Sequence, residues 1–128
     1  MQVNSKRGPM EEQRSFKKLN VWQKVYLFVL AIYKQTQNFP SFELYGLASQ
    51  VRRGAASVLA NIAEGSERQY KKEFLQFISV ARGPWAEVET YLMFARDLGY
   101  IRGEEFVKLE EQRKEIGRLL RGLYKSLS

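Results

Sequence analysis

The sequence of 128 residues contains no cysteine and no histidine. The absence of cysteine excludes disulfides and thiolate chemistry. The absence of histidine removes the usual zinc ligand sets, the Ser/His and Cys/His nucleophile pairs, and the Glu-x-x-His pattern of di-iron helical bundles. We therefore expect a protein that is not an enzyme and that holds no metal or cofactor.

Long apolar runs are also missing from the sequence. No window approaches the ~20 apolar residues of a membrane-spanning helix, and the N-terminal segment has no apolar run of the signal-peptide kind. We expect a cytoplasmic protein without membrane association. Residues 1–15 are polar and show no periodicity, which predicts a disordered N-terminal segment ahead of one domain over 16–128.

Basic residues outnumber acidic residues by 21 to 14, which gives a formal net charge of +7 at pH 7. A surplus of this size favours polyanionic partners through non-specific electrostatic steering. The charge surplus does not show whether the partner is RNA or DNA. It is also consistent with a role in solubility alone.

Helical periodicity is abundant, and no segment shows the alternation of a strand. Apolar residues recur at helical spacing over 20–37, 42–64, about 67–98 and about 104–126. Short turn-forming segments separate these four stretches. The pattern predicts an all-α protein with an antiparallel up-down-up-down four-helix bundle.

Local signals predict where the helices begin, end and bend. Asn20 and Ser66 each precede a glutamine by three residues, which is the form of a capping box. Gly65 is predicted to end the second helix in the left-handed conformation. Pro84 lies inside the third helix and removes a backbone hydrogen bond there. We expect one long third helix kinked near Pro84, with a split into two helices as the alternative.

The second predicted helix has a core face that includes Leu44 and a polar strip along its flank. The polar strip consists of Gln50, Arg53, Ser57, Asn61 and Glu64. An active site and a hydrogen-bonded seam between helices or subunits are the two interpretations. We favour the seam, since no nucleophile–base pair can be assigned. Gln50, Ser57, Asn61 and Glu64 are therefore predicted interface residues.

The fourth predicted helix carries four cations within one narrow sector of the helical wheel. This basic stripe consists of Lys114, Arg118, Arg121 and Lys125. One interpretation is contact with phosphates. The other is a solvated face whose charge complements the helix dipole. Arg52 and Arg53 lie in mid-helix, where no dipole explains them, so at least one is predicted to contact phosphate or a partner.

The first predicted helix has more apolar surface than one stripe requires. Leu27, Phe28 and Leu30 lie outside its main apolar stripe and would leave an exposed apolar patch on a lone bundle. We predict that these residues form an interface between copies of the chain. Trp22 and Trp85 could stack on bases, but their apolar-row positions favour a role in the core or an interface.

The segment FPSFELYGLASQVRRGAASVLANIAEG is followed by FLQFISVARG and then by DLGYI. These segments closely resemble the four-helix-bundle proteins named for intervening sequences in bacterial 23S rRNA genes, over about 16–101. The resemblance implies a ring-shaped homopentamer with no established enzymatic activity. This chain departs from the family at Pro84 and Trp85, where Ser and Leu are usual.

The same family is similar to the accessory variability determinants of diversity-generating retroelements. Those basic bundles associate with a reverse transcriptase and with nucleic acid, but this is the function of a related group. It makes a reverse transcriptase one candidate partner of this chain. Two hypotheses follow for this chain. The first is non-enzymatic binding of RNA or DNA with low sequence specificity by the pentamer. The second is a protein–protein interaction scaffold that does not bind nucleic acid directly.

Overall fold

The computed structural model of the chain describes residues 16–128, which are helical and contain no strand. The predicted disordered segment 1–15 lies outside the described residues. None of the described helices is long and apolar enough to cross a membrane. Short 3₁₀ helices at Phe16–Lys18 and Ser41–Glu43 accompany five α-helices: α1 Asn20–Thr36, α2 Leu47–Ser66, α3 Lys71–Val80, α4 Arg82–Asp97 and α5 Gly103–Leu127.

Both predicted capping boxes are wrong. Asn20 is already the first residue of α1, and the Gln23 side-chain amide donates to the Lys17 carbonyl at 2.8 Å instead of capping the helix. Ser66 is the last residue of α2, and its hydroxyl donates to the Ala63 carbonyl at 2.8 Å. Bonds to nearby backbone carbonyls therefore replace the predicted caps.

The second helix begins at Leu47, five residues later than predicted. The preceding chain forms the 3₁₀ helix Ser41–Glu43 and then leaves helical geometry at Gly46, with φ −111° and ψ −114°. Glu43 Oε1 accepts the Leu47 N–H at 3.0 Å, which satisfies a free donor in the first turn of α2. Leu44 lies in this non-helical turn and is 48% exposed. The prediction that Leu44 belongs to the core is therefore wrong.

Gly65 does not end the second helix in the left-handed conformation, so that prediction is also wrong. The helix continues through Gly65 to Ser66. Gly65 is buried where α2 meets α3. A Cβ atom at Gly65 would lie 2.8 Å from both Phe74 Cδ1 and Phe77 Cβ. The close approach of the two helices, and not a positive φ, is what requires glycine at this position.

The third predicted helix is divided into α3 and α4, with only Ala81 between them. Pro84 has no N–H to donate to the Val80 carbonyl, which explains an interruption just before it. Ala81 nevertheless keeps helical angles of φ −67° and ψ −15°. Its N–H bonds to the Phe77 carbonyl, and its carbonyl accepts the Trp85 N–H. The split is confined to one residue, and a kink near Pro84 stays a prediction.

The core is built around α2, which packs against α1, α3 and α4. Helix α5 completes the bundle by packing mainly against α1 and α3. Each of these helices contributes apolar residues at helical spacing, so their buried faces meet in one cluster. Its largest fully buried side chains are Phe28, Ile32, Ile62, Leu92, Ile116, Val25, Val51, Val58 and Val88.

The prediction that Phe28 lies at an interface between copies is wrong. Phe28 is 0% exposed, and its ring centroid lies 5.6 Å from that of Trp85. The reason is that α1 packs on both α2 and α5, so its buried face is wider than one stripe. Leu27 and Leu30 lie outside this wider face and remain 55% and 47% exposed.

The contact at Gly65 predicts that the substitution Gly65→Ala destabilises the protein. The added methyl group would meet Phe74 and Phe77 at less than contact distance. Overpacking of this kind costs about 1–3 kcal/mol, which the better helix propensity of alanine offsets only in part. Urea denaturation would measure the change in the free energy of unfolding.

Gly122→Ala is the matched control, because nothing lies within 4 Å of a Cβ at this helical position. This change should stabilise the protein by about 0.5–1 kcal/mol through helix propensity alone. Equal effects of the two substitutions would contradict the close packing of α2 on α3.

Candidate nucleic-acid interface

The basic stripe runs from the middle of α5 to its last turn, and its four side chains are exposed. None of them takes part in an ion pair within residues 16–128. Glu115, which directly follows Lys114, pairs with Lys24 at 3.5 Å, and Glu110 pairs with Arg113 at 2.9 Å. The positive charge of the stripe is therefore not compensated by a direct carboxylate contact.

A groove runs beside the basic stripe, between α5 on one side and α3 and α4 on the other. It has a larger lobe of about 510 Å³ and a smaller lobe of about 270 Å³. Lys114 and Arg118 of the stripe line the larger lobe. Both lobes are lined by Arg82, Trp85, Gly117 and Arg121. The groove thus joins part of the stripe to residues of α4 that the sequence analysis did not connect with it.

Gly117 opens the wall of the groove on the α5 side. A Cβ atom at this buried glycine would lie 3.5 Å from Arg121 Nη1 and 3.8 Å from Trp85 Nε1. The missing side chain therefore leaves space beside the indole of Trp85. Trp85 also packs on Phe28 in the core. It is half-buried, as a residue that belongs both to the core and to the groove.

Arg82 extends from the first turn of α4 towards α5. Its guanidinium carbon lies 4.4 Å from the centroid of the Tyr124 ring, which is within the range of a cation–π contact. No carboxylate of the described part of the chain pairs with Arg82. Sequence reasoning did not identify Arg82 as a binding residue, because it lies on a different predicted helix from the stripe.

Arg113 also lines the larger lobe, but its charge is neutralised. Its Nε donates to both carboxylate oxygens of Glu110, at 2.9 and 3.0 Å, and its Nη2 lies 3.1 Å from Glu89 Oε2. The side chains of Arg113 and Glu110 are only 13% and 16% exposed. This network connects α4 with α5 and is a structural part of the groove wall.

The two arginines of α2 have different environments. Arg52 Nε donates to Thr36 Oγ1 at 2.7 Å, and its guanidinium lies 4.8 Å from the centroid of the Tyr33 ring. Arg52 therefore ties α2 to α1 within the bundle. Arg53 is exposed. Neither arginine lines the groove, and their contact with phosphate or a partner stays a prediction.

The polar strip of α2 forms hydrogen bonds within its own helix. Asn61 Nδ2 donates to the Ser57 carbonyl at 2.8 Å. Gln50 and Glu64 are exposed, as is Arg53. The bond between Asn61 and Ser57 does not connect different helices, and a seam between subunits stays a prediction.

A separate polar pair lies where the turn before α2 meets the link before α5. The Tyr100 hydroxyl donates to Glu43 Oε2 at 2.9 Å. Burial of Tyr100, together with the hydrogen bond to Glu43 and the charge of its carboxylate, raises the pKa of Tyr100. Since Glu43 also accepts the Leu47 N–H, we assign this pair a structural role.

Within 16–128, no group of three or more acidic residues is placed to hold a metal ion.

The fold and this surface define a small all-helical protein with an exposed cationic groove. The family model of the 23S rRNA-intervening sequence protein matches residues 17–122. The chain belongs to this family, which confirms the resemblance seen in the sequence. The relationship to retroelement accessory proteins stays a prediction.

A solved structure has a similar fold. It is the crystal structure of a protein of unknown function from the S23 ribosomal protein family of Bacteroides thetaiotaomicron VPI-5482. The two proteins are 26% identical in sequence, and the TM-score is 0.72. The similarity covers 82% of this chain and 98% of the other. No curated protein matches the chain.

The network around Arg113 predicts that Arg113→Leu destabilises the protein. The substitution would leave the largely buried Glu110 carboxylate without its partner, at a cost of about 1–3 kcal/mol. Arg102→Leu is the control, because Arg102 and Glu104 form an exposed ion pair with side chains 82% and 67% exposed. Exposed pairs contribute about 0–1 kcal/mol. Chemical denaturation of both variants would test this difference, and a smaller effect at Arg113 would contradict it.

Proposed function

We propose that the protein is a non-enzymatic nucleic-acid-binding protein that contacts RNA or DNA through the basic stripe and the groove. The observation that carries the proposal is the convergence of unpaired cations from two helices on one groove. These cations are Arg82, Lys114, Arg118 and Arg121. Arginine and lysine side chains with free N–H donors are the usual partners of phosphate oxygens.

The alternative interpretation of the stripe, stabilisation of the helix dipole, accounts for only part of this set. A cation is favoured within the last turn of a helix. Lys114 lies near the middle of α5, and Arg82 lies at the first residue of α4. The dipole favours neither position. A polyanionic ligand would account for both.

Binding of this kind should have low sequence specificity. Contacts with phosphate and sugar position a protein on a nucleic acid but carry no direct sequence information. The groove supplies mainly cations and apolar surface, with Glu89 as the acidic residue of its larger lobe. That set of side chains suits both RNA and DNA.

The ring-shaped homopentamer belongs to the same proposal. It is supported by exposed apolar side chains on the outer face of α1 and in the turn before α2: Tyr26, Leu27, Leu30, Tyr33, Phe42, Leu44 and Tyr45. Contact between copies would cover such a surface. The number five rests on the family resemblance. A ring would present several basic stripes to one strand, which raises the avidity by roughly 10² or more.

The antiparallel up-down-up-down order, with a kink near Pro84, is the architecture that we propose for each copy. It is supported by pairs of contacts in which the residue numbers rise along one helix and fall along its neighbour, as they do between antiparallel helices. A Cβ atom at Gly54 would meet Val88, whereas one at Gly65 would meet Phe77. In the same manner, α1 contacts α5 through Lys24 with Glu115 and through Gln35 with Glu105.

The interaction scaffold remains the second candidate function. It is favoured by Phe42 and Tyr45, which are 77% and 91% exposed. A protein partner such as a reverse transcriptase would bury these rings. A reverse transcriptase gene beside the gene for this chain would favour the scaffold, whereas a location inside an rRNA gene would favour nucleic-acid binding.

Removal of two groove cations should weaken binding in a salt-dependent manner. The logarithm of affinity is expected to fall linearly with the logarithm of salt concentration, with a slope of about −0.7 for each phosphate bound on a single strand. The double variant Lys114→Gln with Arg118→Gln should bind fewer phosphates, so its slope should be shallower by about 0.7 per phosphate. Fluorescence anisotropy with a labelled oligonucleotide over a series of salt concentrations would measure the slope.

The matched control for this experiment is the double variant Lys71→Gln with Lys72→Gln. These exposed lysines begin α3 and do not line the groove, and the net charge changes by the same amount. Equal losses of affinity in the two variants would show that the affinity depends on net charge alone and not on the position of the cations. If the unaltered protein binds no RNA or DNA at low salt, the proposal fails.

Light scattering should give a mass near that of five chains of 15.0 kDa each. The substitution Leu30→Glu places a charge on the exposed apolar face of α1 and should reduce the mass towards one chain. Gln37→Glu changes the net charge equally at an exposed position beyond α1 and should leave the mass unchanged. A mass of one chain for the unaltered protein would overturn the assembly.

A further inference from the structure

We infer that the groove accepts an unpaired nucleobase, so that the partner of this protein is a single-stranded nucleic acid. The inference rests on the proposed function and specifies the ligand of the same surface. Phosphate contacts alone would not distinguish a single strand from a duplex. The features that make this distinction are the apolar lining of the groove and the position of Trp85.

The smaller lobe has the lining expected for a flat aromatic ligand. Apart from its two arginines and Gly117, this lobe is lined by Ile78, Trp85, Leu120 and Tyr124. Its volume of about 270 Å³ is close to the lower end of the range for small-molecule pockets, about 300–1,000 Å³. Aromatic side chains beside a cationic groove are the usual means by which proteins bind single strands without sequence preference.

Trp85 has a free donor at this position. Within the described residues the indole N–H of Trp85 has no hydrogen-bond partner. Every fully buried side-chain nitrogen or oxygen of these residues does have one. Nε1 of Trp85 must therefore be reached by solvent. A tryptophan that is half in the core usually directs its N–H to a partner. Here a base carbonyl or a phosphate oxygen in the groove could accept this hydrogen bond.

The arginines are placed to hold the strand around such a base. Arg121 lines both lobes, and Arg82 is held over the ring of Tyr124. A guanidinium group can donate to phosphate oxygens and can also stack on a base. Lys114 and Arg118 continue the positive surface along the larger lobe. The strand would thus place its phosphates on the stripe and one base in the smaller lobe.

A duplex does not meet these requirements, because its bases are stacked and paired. A paired base would have to leave the helix before entering the groove. A single strand can present a base without this cost. We therefore expect the protein to bind single strands more tightly than duplexes at the same salt concentration.

Trp85 itself can report the contact. In the variant Trp22→Phe it is the remaining tryptophan of the chain. A short single-stranded oligonucleotide should quench its fluorescence. An abasic strand of equal length and charge should not quench it and should bind roughly tenfold or more weakly, since base stacking on aromatic side chains is absent. A duplex of equal length should also fail to quench this fluorescence, because its bases are paired.

These ligands separate the possible failures. Equal affinity for the intact and abasic strands, without quenching by either, would overturn the inference and leave the proposed function intact. Failure of every strand to bind would overturn both. Quenching by a mononucleotide at a similar concentration would show a site for free nucleotides, and would contradict a site adapted to strands.

Filling the groove gives an independent test. The substitution Gly117→Leu would place a side chain beside Trp85 Nε1 and should remove the preference for the intact strand while leaving binding of the abasic strand. Gly122→Leu is the control, because Gly122 is exposed on the same helix and does not line the groove.

Gly117→Ala keeps this test decisive if the leucine variant does not fold. Its Cβ would meet Arg121 Nη1 at 3.5 Å and Trp85 Nε1 at 3.8 Å, which are ordinary contact distances. Thermal melting would confirm that each variant is folded. A folded Gly117 variant that keeps the full preference for the intact strand would overturn the inference.

Discussion

The close packing of α2 against α3 and α4 is the constraint on which the rest of the structure depends. Two glycines make it possible: a Cβ atom at Gly54 would lie 2.9 Å from Val88 Cγ2, and one at Gly65 would lie 2.8 Å from Phe77 Cβ. Helix α2 is also in contact with α1. It therefore determines where the other helices meet the core, and α5 completes the bundle against α1 and α3.

The groove is a consequence of this arrangement. Because α5 packs mainly against α1 and α3, long side chains connect it with α4. Arg113 reaches Glu89 at one position and Arg82 reaches Tyr124 at another. Between these connections, Gly117 has no side chain to fill the space beside Trp85. The same packing that completes the core thus leaves an opening with aromatic and cationic walls.

The cations around the groove fall into two groups with different physical roles. Arg113 is largely buried and pairs with two carboxylates, so its contribution is to hold α4 and α5 together. Arg82, Lys114 and Arg118 lie outside the core and have no carboxylate partner in the described part of the chain. Charge that already has a partner stabilises the fold, whereas uncompensated charge remains available to a polyanion. This division is what connects the structure with the proposed function.

The sequence by itself determined the all-α class, the approximate helices, the basic stripe and the family, because helical periodicity and local motifs depend on residues close together in the chain. The predicted roles of Gly65 as a helix end and of Phe28 as an interface residue were wrong, because both roles depend on how two helices pack together. The sequence also did not show that Arg82 and Trp85 lie beside the basic stripe, or that there is open space beside Gly117. Only the tertiary structure decided these features, since a groove exists only where residues of separate helices pack together without filling the space between them.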